Sequence, residues 1–148
     1  MYKNIKDDNF KNILVWASMG IGNTVNFIPF LINLRERFPN AKITLLTSAS
    51  KSNYSLLDKS IYYDKMIYFN KHSRIAKYSS LLRVFLGNYD LFLVKWHRNS
   101  LVAKFIKCAF QAKVIGHVTG GGWESEFDYL VDIKVPMQSN IHDVHQYL

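Results

Sequence analysis

The segment that decides the fold is ILVWASMGIGNTVNFIPFLINLRERFP, from Ile13 to Pro39. It opens with a short continuous apolar run, which is typical of a strand buried on both faces of a parallel sheet. A loop containing two glycines follows, SMGIGN, residues 18–23. Beyond the loop, apolar residues recur at steps of four, three and four, at Phe27, Leu31, Leu34 and Phe38. This spacing predicts an amphipathic helix that ends before Pro39.

Pro29 lies inside the helical pattern and leaves two alternatives open. The helix could begin near Asn26, which would put the proline in the first turn, where a missing N–H costs nothing. Alternatively, the helix begins earlier and its first turns are kinked. The sequence does not decide between them.

Strand and helix patterns alternate along the rest of the chain. Strands are predicted at residues 12–17, 41–47, 65–69, 89–96, 112–117 and 129–135, and helices at residues 49–59, 73–86, 99–110 and from 140 onward. In the helix at residues 73–86, Ile75, Tyr78, Leu82 and Phe85 share one side, and Gly87 takes the position where glycine relieves left-handed strain. The alternation predicts an α/β fold with a Rossmann-like, doubly wound parallel sheet. The first loop, Trp96 and His117 should then lie at the same carboxyl edge.

Length and composition place the chain among globular proteins. Its 148 residues suit one domain, 1–148, with a sizeable core. Residues 1–12 do not read as a signal peptide, and no apolar run approaches the roughly eighteen residues that a bilayer span needs, so we expect a soluble, cytoplasmic protein. The single cysteine, Cys108, excludes an internal disulfide, fits a reducing compartment and is expected in the core.

The positive charge is concentrated in the middle of the chain. Residues 71–113 carry a formal charge of +8, whereas residues 1–70 carry +4 and residues 114–148 carry −4. Such a segment attracts phosphates, nucleic acid or an anionic membrane surface, or it consists simply of solvated helix faces. Nucleic acid ranks last, because the cations are spread over at least two helices without a recognition-helix or RNA-binding motif.

The loop at residues 18–23 occupies the place where open α/β sheets bind ligands. Gly20 and Gly22 would let the backbone approach a ligand, and the start of the following helix offers unpaired N–H groups. The alternative is that the turn simply favours glycine, since the dinucleotide fingerprint is incomplete: its third glycine would fall at Val25. A stand-alone module that captures a nucleotide or phosphate at Gly20–Asn23 is therefore one functional hypothesis.

Four sequence segments together resemble glycosyltransferase family 9, the heptosyltransferase-like enzymes. They are residues 13–47, which include RERFP; YDLFLVKWHRNS at residues 89–100; AKVIGH at residues 112–117; and HDVHQYL at residues 142–148. The family typically begins with a strand, a Ser-x-Gly-x-Gly-Asp loop and a helix ending in RxRFP. The similarity spans roughly residues 12–148.

The resemblance implies the N-terminal, acceptor-binding half of a two-domain GT-B enzyme. The other half of such enzymes binds the nucleotide-sugar donor, and transfer requires no metal. We therefore expect that the donor-binding domain is absent here, whether it is lost or separately encoded, and that this chain alone is inactive. The implied reaction transfers a sugar, with heptose as the leading candidate, to a lipopolysaccharide or other surface glycan. No cofactor is implied beyond the donor as co-substrate, and the basic segment would suit an acceptor at the inner face of the membrane.

Asn23 departs from the family pattern at the catalytic position. The family usually has aspartate there, thought to deprotonate the acceptor hydroxyl. An amide cannot take this proton, and general-base help is worth about a hundred- to ten-thousand-fold. Asn23 could instead bind a hydroxyl or cap the helix. The best substitute base is His97, because imidazole titrates near neutral pH.

The remaining predicted site residues are assigned to substrate binding. Trp96 could stack on a sugar ring and Arg98 could bind an acceptor phosphate, although packing and solvation explain both equally well. The acceptor site would be completed by Ser18, Gly20, Gly22 and His117. No metal site is predicted, because His142 and His145 lack the spacing and partners of a zinc helix.

Overall fold

The computed structural model describes residues 9–17, 21–48, 57, 63–69, 73–94, 104, 107–108, 112–118 and 130–136. Within these ranges the chain forms six strands and two continuously described helices. The strands are β1 (Asn12–Trp16), β2 (Lys42–Thr47), β3 (Lys65–Tyr68), β4 (Leu91–Val94), β5 (Lys113–Val118) and β6 (Ile133–Pro136), and the helices are α1 (Ile21–Arg37) and α2 (Arg74–Phe85). Each of the six predicted strands is found, with bounds shifted at the ends.

All strands belong to one sheet in the order β3-β2-β1-β4-β5-β6, and every neighbouring pair is parallel. This is the Rossmann order: the chain builds outward from β1 to β3, returns to the other side of β1 at β4, and builds outward again. The predicted doubly wound α/β fold is therefore confirmed.

The two helices cover opposite faces of the sheet. On one face, Phe27, Leu31 and Leu34 of α1 pack in a cluster with alternate residues of β1 and β2, Ile13, Val15, Ile43 and Leu45. On the other face, Val84 of α2 joins a cluster with Leu14, Trp16, Phe92 and Val114. β1 is thus buried on both sides, which explains why its sequence is a continuous apolar run.

Helix α1 begins at Ile21, and Pro29 lies inside it. A start near Asn26 is therefore wrong. Pro29 lacks the N–H that would bond to the carbonyl of Val25. The helix nevertheless continues to Arg37, because Leu31 and Leu34 are buried against the sheet and hold the later turns in place.

Helix α2 does not pack on the sheet through the apolar side that the sequence predicts; the other side of the helix faces the sheet. Its sheet-facing side is formed by buried Ser80 and Val84, with Leu81 packed beside them. The Ser80 hydroxyl hydrogen-bonds to the carbonyls of Tyr68 and Ala76, both at 2.8 Å. Ile75, Tyr78, Leu82 and Phe85, the side that the sequence singles out, are exposed.

The turn after α2 corrects the role predicted for Gly87. The residue with a left-handed backbone is Asn88, at φ 45°, and α2 ends with Leu86 in the right-handed region. A Cβ on Gly87 would overlap the ring of Tyr89, which is buried. Gly87 is therefore required by close packing and not by a left-handed turn.

Two further expectations meet the described residues only in part. Cys108 is exposed, so its predicted place in the core is wrong. Lys104, Lys107 and Cys108 are helical, as predicted for residues 99–110, whereas the helices predicted at residues 49–59 and from residue 140 lie outside the described residues. In the part of the chain that the structure describes, no helix is long and apolar enough to cross a membrane.

Candidate functional site

The carboxyl edge of the sheet is formed by the last residues of the six strands, Trp16, Thr47, Tyr68, Val94, Val118 and Pro136. Near this edge Trp16 lies opposite Leu46 on one side and Val94 on the other, and Val94 lies opposite Gly116. The chain leaves β1 toward α1 and β2, whereas β4 continues the sheet in the other direction. The end of β1 next to the end of β4 is the switch point, where open α/β sheets leave a crevice for ligands.

The structure places three predicted site residues at this edge. Gly22 and Asn23 lie in the first turn of α1, and His117 lies in β5 opposite Val135, one residue beyond Gly116. The expectation that the first loop and His117 share one edge is therefore met. Ser18, Gly20, Trp96, His97 and Arg98 lie outside the described residues, as do His142 and His145. The roles assigned to all these side chains stay predictions.

Asn23 is the third residue of α1, which begins at Ile21. Its backbone therefore lies inside the helix, after the N-cap position, which precedes the first helical residue. The first turn of α1 contains no acidic residue. The partial positive charge of the helix start is consequently not offset by a carboxylate within this turn, and it favours a ligand that carries negative charge or accepts hydrogen bonds.

Two buried threonines lie near the same edge and were not singled out from the sequence. Thr24 follows Asn23 in α1 and is 1% exposed, and Thr47 ends β2 and is 0% exposed. Both make interactions within the protein. We therefore assign them a structural role. The sequence signals that could have indicated these two residues are a threonine that ends an apolar strand and a threonine that closely follows the two glycines.

The opposite, amino edge has a repeated arrangement that we call an aspartate bridge. In each bridge, an aspartate directly precedes a strand. Its carboxylate and its backbone N–H both form hydrogen bonds with the backbone of one residue in the neighbouring strand. The three bridges join Asp90 to Asn12, Asp64 to Ile43, and Asp132 to Val114. In each, the carboxylate accepts the neighbour's N–H at 2.7–2.9 Å, and the aspartate N–H donates to the same neighbour's carbonyl at 2.9 Å.

Asp90 connects the most strands of the three. Its carboxylate also accepts the N–H of Lys11 at 2.8 Å, and its carbonyl accepts the N–H of Lys113 at 3.0 Å. It thereby joins the starts of β1, β4 and β5. The motif YDL, one of those that resemble the glycosyltransferase family, thus has a structural role here.

Asp64 and Asp132 are each reinforced by a cation. Arg35 donates to Asp64 at 2.8 Å and to the carbonyl of Ala41 at 2.7 Å, while Lys107 donates to Asp132 at 2.6 Å and to the carbonyl of Leu130 at 2.9 Å. Partial burial raises the pKa of each carboxyl, but the hydrogen bonds and the nearby positive charges outweigh it. The pKa of Asp64 and that of Asp132 both lie below the ordinary value. Arg35, in the RERFP motif, therefore stabilises the amino edge through its bonds to Asp64 and Ala41.

The described residues contain no group of three histidine, cysteine or acidic side chains placed to hold a metal ion. The described part of the site consists of backbone and of small polar residues at a helix start. Such a site can bind hydroxyl groups and anions.

The strand order defines a Rossmann-like domain whose topological switch point lies between the ends of β1 and β4. Comparison with solved structures finds this domain in family 9 glycosyltransferases. The chain superimposes on the family 9 glycosyltransferase of Veillonella parvula with a TM-score of 0.66 and 20% identity, over 95% of this chain and 41% of that one.

Two Escherichia coli heptosyltransferases match in the same way. Heptosyltransferase WaaC, solved with ADP-2-deoxy-2-fluoro heptose, gives a TM-score of 0.70 at 12% identity over 92% of this chain. ADP-heptose lipopolysaccharide heptosyltransferase II gives 0.65 at 16% identity over 93% of this chain. The predicted resemblance is confirmed at the level of the fold.

The chain spans 38–45% of the length of these three enzymes. This share is what one half of a two-domain enzyme would occupy. No protein-family model and no curated protein matches the sequence.

Proposed function

We propose that this chain is the acceptor-binding half of a glycosyltransferase that transfers a sugar from a nucleotide diphosphate to a lipopolysaccharide or other surface-glycan acceptor. The observation that supports the proposal is the position of the start of α1: Gly22 and Asn23 lie at the switch point of a sheet whose fold matches family 9 glycosyltransferases. Heptose is the first sugar to test, because two of these structures are heptosyltransferases.

The acceptor would lie along the carboxyl edge, against the first turn of α1. Backbone N–H groups of that turn would donate hydrogen bonds to oxygens of the glycan. A phosphate on the glycan would be attracted by the partial positive charge of the helix start, which no carboxylate in the first turn offsets. Asn23 takes the position of the family's base and would hydrogen-bond the attacking hydroxyl without removing its proton. His97 is the group we propose to accept that proton.

By itself the chain is expected to show little or no turnover. Transfer requires donor and acceptor to be held together in a reactive geometry, and this domain supplies one wall of the cleft. The proposed partner is a donor-binding half, in the same or a separate chain. The proposed location is the cytoplasm, at the inner face of the membrane.

Chemical-shift mapping tests acceptor binding directly. The isotope-labelled chain would be titrated with a heptose-containing, phosphorylated acceptor glycan, and separately with ADP. We expect the glycan to shift the amide signals of Gly22, Asn23 and His117, and to leave those of Asp64, Asp90 and Asp132 at the amino edge unchanged. Asn23→Ala should weaken glycan binding about fivefold, the value of one hydrogen bond. Lys134→Ala, an exposed change on β6, serves as control.

The second candidate function is a stand-alone nucleotide- or phosphate-binding module, favoured by the same uncompensated helix start. Tight binding of ADP at Gly22 and Asn23 with no glycan binding would establish this module and overturn the acceptor proposal. Shifts confined to the amino edge would contradict both.

A further inference from the structure

The outward side of α2 carries a row of exposed apolar side chains. Ile75 is 84% exposed, Tyr78 68%, Leu82 58% and Leu86 73%. These residues follow one another at steps of three, four and four, which aligns them along one side of the helix. We call these four residues the α2 stripe. It points away from the sheet, because Ser80 and Val84 occupy the buried side.

Positive charge flanks the α2 stripe. Arg74 and Arg83 are nine residues apart, or two and a half turns at about 3.6 residues per turn, so they lie on opposite sides of the helix. Both are exposed. The segment RIAKYSSLLRVF also contains Lys77 and no acidic residue.

We propose that the α2 stripe docks this protein onto a lipid bilayer rich in anionic headgroups. An apolar row bordered by arginines is the pattern of a helix that lies flat in the membrane interface, with aliphatic side chains below the headgroups and cations among them. Tyr78 contributes an apolar ring with a polar tip, which suits that depth. The stripe is a convex ridge, and a fluid surface accepts a ridge without needing a complementary groove.

Docking through the α2 stripe would also orient the candidate site. Helix α2 follows β3, so its first turn, with Arg74 and Ile75, begins at the carboxyl edge of the sheet. When α2 lies flat on the bilayer, the carboxyl edge opens along the membrane surface. On the proposed function, this orientation would let a membrane-anchored acceptor reach Gly22 and Asn23 without leaving the bilayer.

Co-sedimentation with lipid vesicles tests the proposal on the full 148-residue chain. One set of vesicles contains phosphatidylcholine alone, and the other contains phosphatidylcholine mixed with phosphatidylglycerol. We expect binding to the anionic vesicles that weakens as salt is raised. The variant Ile75→Ser/Leu82→Ser should bind about tenfold more weakly or worse, because buried methylene groups drive interfacial binding.

The arginines are tested separately from the apolar residues. Arg74→Gln/Arg83→Gln should weaken binding to anionic vesicles by about fivefold per residue and should leave binding to neutral vesicles unchanged. Lys134→Gln on β6 and Val25→Ser on α1 are single-residue controls for the loss of an exposed charge and of an exposed apolar side chain. Circular dichroism confirms that each variant is folded.

Three results would overturn the proposal. The first is absence of binding to anionic vesicles, and the second is unchanged binding by the Ile75→Ser/Leu82→Ser variant. The third is a dimer in size-exclusion chromatography that this variant disperses while vesicles are not bound, since the stripe would then be an interface between two copies. Vesicle binding requires neither donor nor acceptor, so its failure and a failed glycan titration are separate results.

Discussion

The two edges of the sheet use their polar groups in opposite ways. At the amino edge, Asp64, Asp90 and Asp132 direct their carboxylates at backbone N–H groups of the neighbouring strands. At the carboxyl edge, the first turn of α1 contains no carboxylate, and the backbone there belongs to Gly22 and Asn23. The carboxylates of the amino edge are therefore bonded within the protein, whereas the helix start at the carboxyl edge has no carboxylate in its first turn.

This difference separates the residues that stabilise the sheet from those of the candidate site. Parallel strands leave unpaired backbone groups at both ends, and satisfying them with side chains stabilises the fold. A site needs such groups free for the ligand. We therefore expect substitutions at the amino edge to change stability most, and those at the carboxyl edge to change binding.

The largest loss of stability is expected from Gly87→Ala, near the amino edge. The new Cβ would overlap the Tyr89 ring, which is buried and hydrogen-bonded to Thr44 and cannot move freely. Overpacking of this kind typically costs about 1–3 kcal/mol. Urea unfolding measures it. In a Tyr89→Leu background the cost should largely disappear, and an equal cost in both backgrounds would contradict the close-contact explanation.

Asp90→Ala should follow, with a loss of about 2 kcal/mol, because two backbone N–H groups lose a charged acceptor. Asp90→Asn keeps an acceptor oxygen and should cost less. Hydrogen exchange of the Lys11 and Asn12 amides reports on the bridge itself. Unchanged protection of these amides in Asp90→Ala would mean that the bridge does not hold β1.

Acid should weaken the amino edge in a defined direction. The pKa of Asp64 and that of Asp132 are lowered in the folded protein, so their stabilisation is complete above the unfolded value of about 3.9. It is lost as the pH falls below that value and through the folded pKa. Because both side chains are partly exposed, the effect should be smaller than that of Asp90→Ala.

The double variant Asp64→Asn/Asp132→Asn should show a shallower loss of stability with acid than the parent chain. Thermal unfolding between neutral and acidic pH measures it. Glu36→Gln, which removes one exposed carboxylate on α1, is the control. An identical pH dependence in the double variant and the parent would contradict the lowered pKa values.

The smallest effect is expected at the carboxyl edge, from Asn23→Asp. A carboxylate in the first turn of α1 should stabilise the helix by about 0.3–1 kcal/mol at low salt. Asn33→Asp, on an exposed later turn of the same helix, should not stabilise it. If only Asn23→Asp raises the melting temperature, and added salt abolishes this increase, the result would support a helix start whose partial positive charge is not offset in the first turn. A decrease would contradict it.

Sequence patterns gave a correct account of the strands and of α1. Each strand is a short apolar run, and Phe27, Leu31 and Leu34 face the core as their spacing predicts. The RERFP and YDL motifs were recognised as family features, but nothing local indicates that Arg35 reaches Asp64 or that Asp90 bonds to Lys11 and Asn12. These partners are far apart in sequence.

The errors arise where a local pattern is compatible with two tertiary arrangements. The apolar side of α2 could have faced the sheet, but Ser80 and Val84 do so instead. Gly87 and Asn88 are both residue types that end helices, but the left-handed residue is Asn88, and Gly87 is packed against Tyr89. Cys108 was placed in the core from its residue type, which does not fix the side of a helix on which a residue lies, and it is exposed.

By itself, the sequence determined the class of fold, the strand segments and the edge of the sheet at which Gly22 and His117 lie. Periodicity and right-handed crossovers are local rules that hold almost everywhere. Only the tertiary structure decided that the acids support the amino edge, that Asn23 lies inside α1, and that the apolar side of α2 faces outward. Each of these depends on contacts between segments distant in sequence, and their energies are set only when the sheet is assembled.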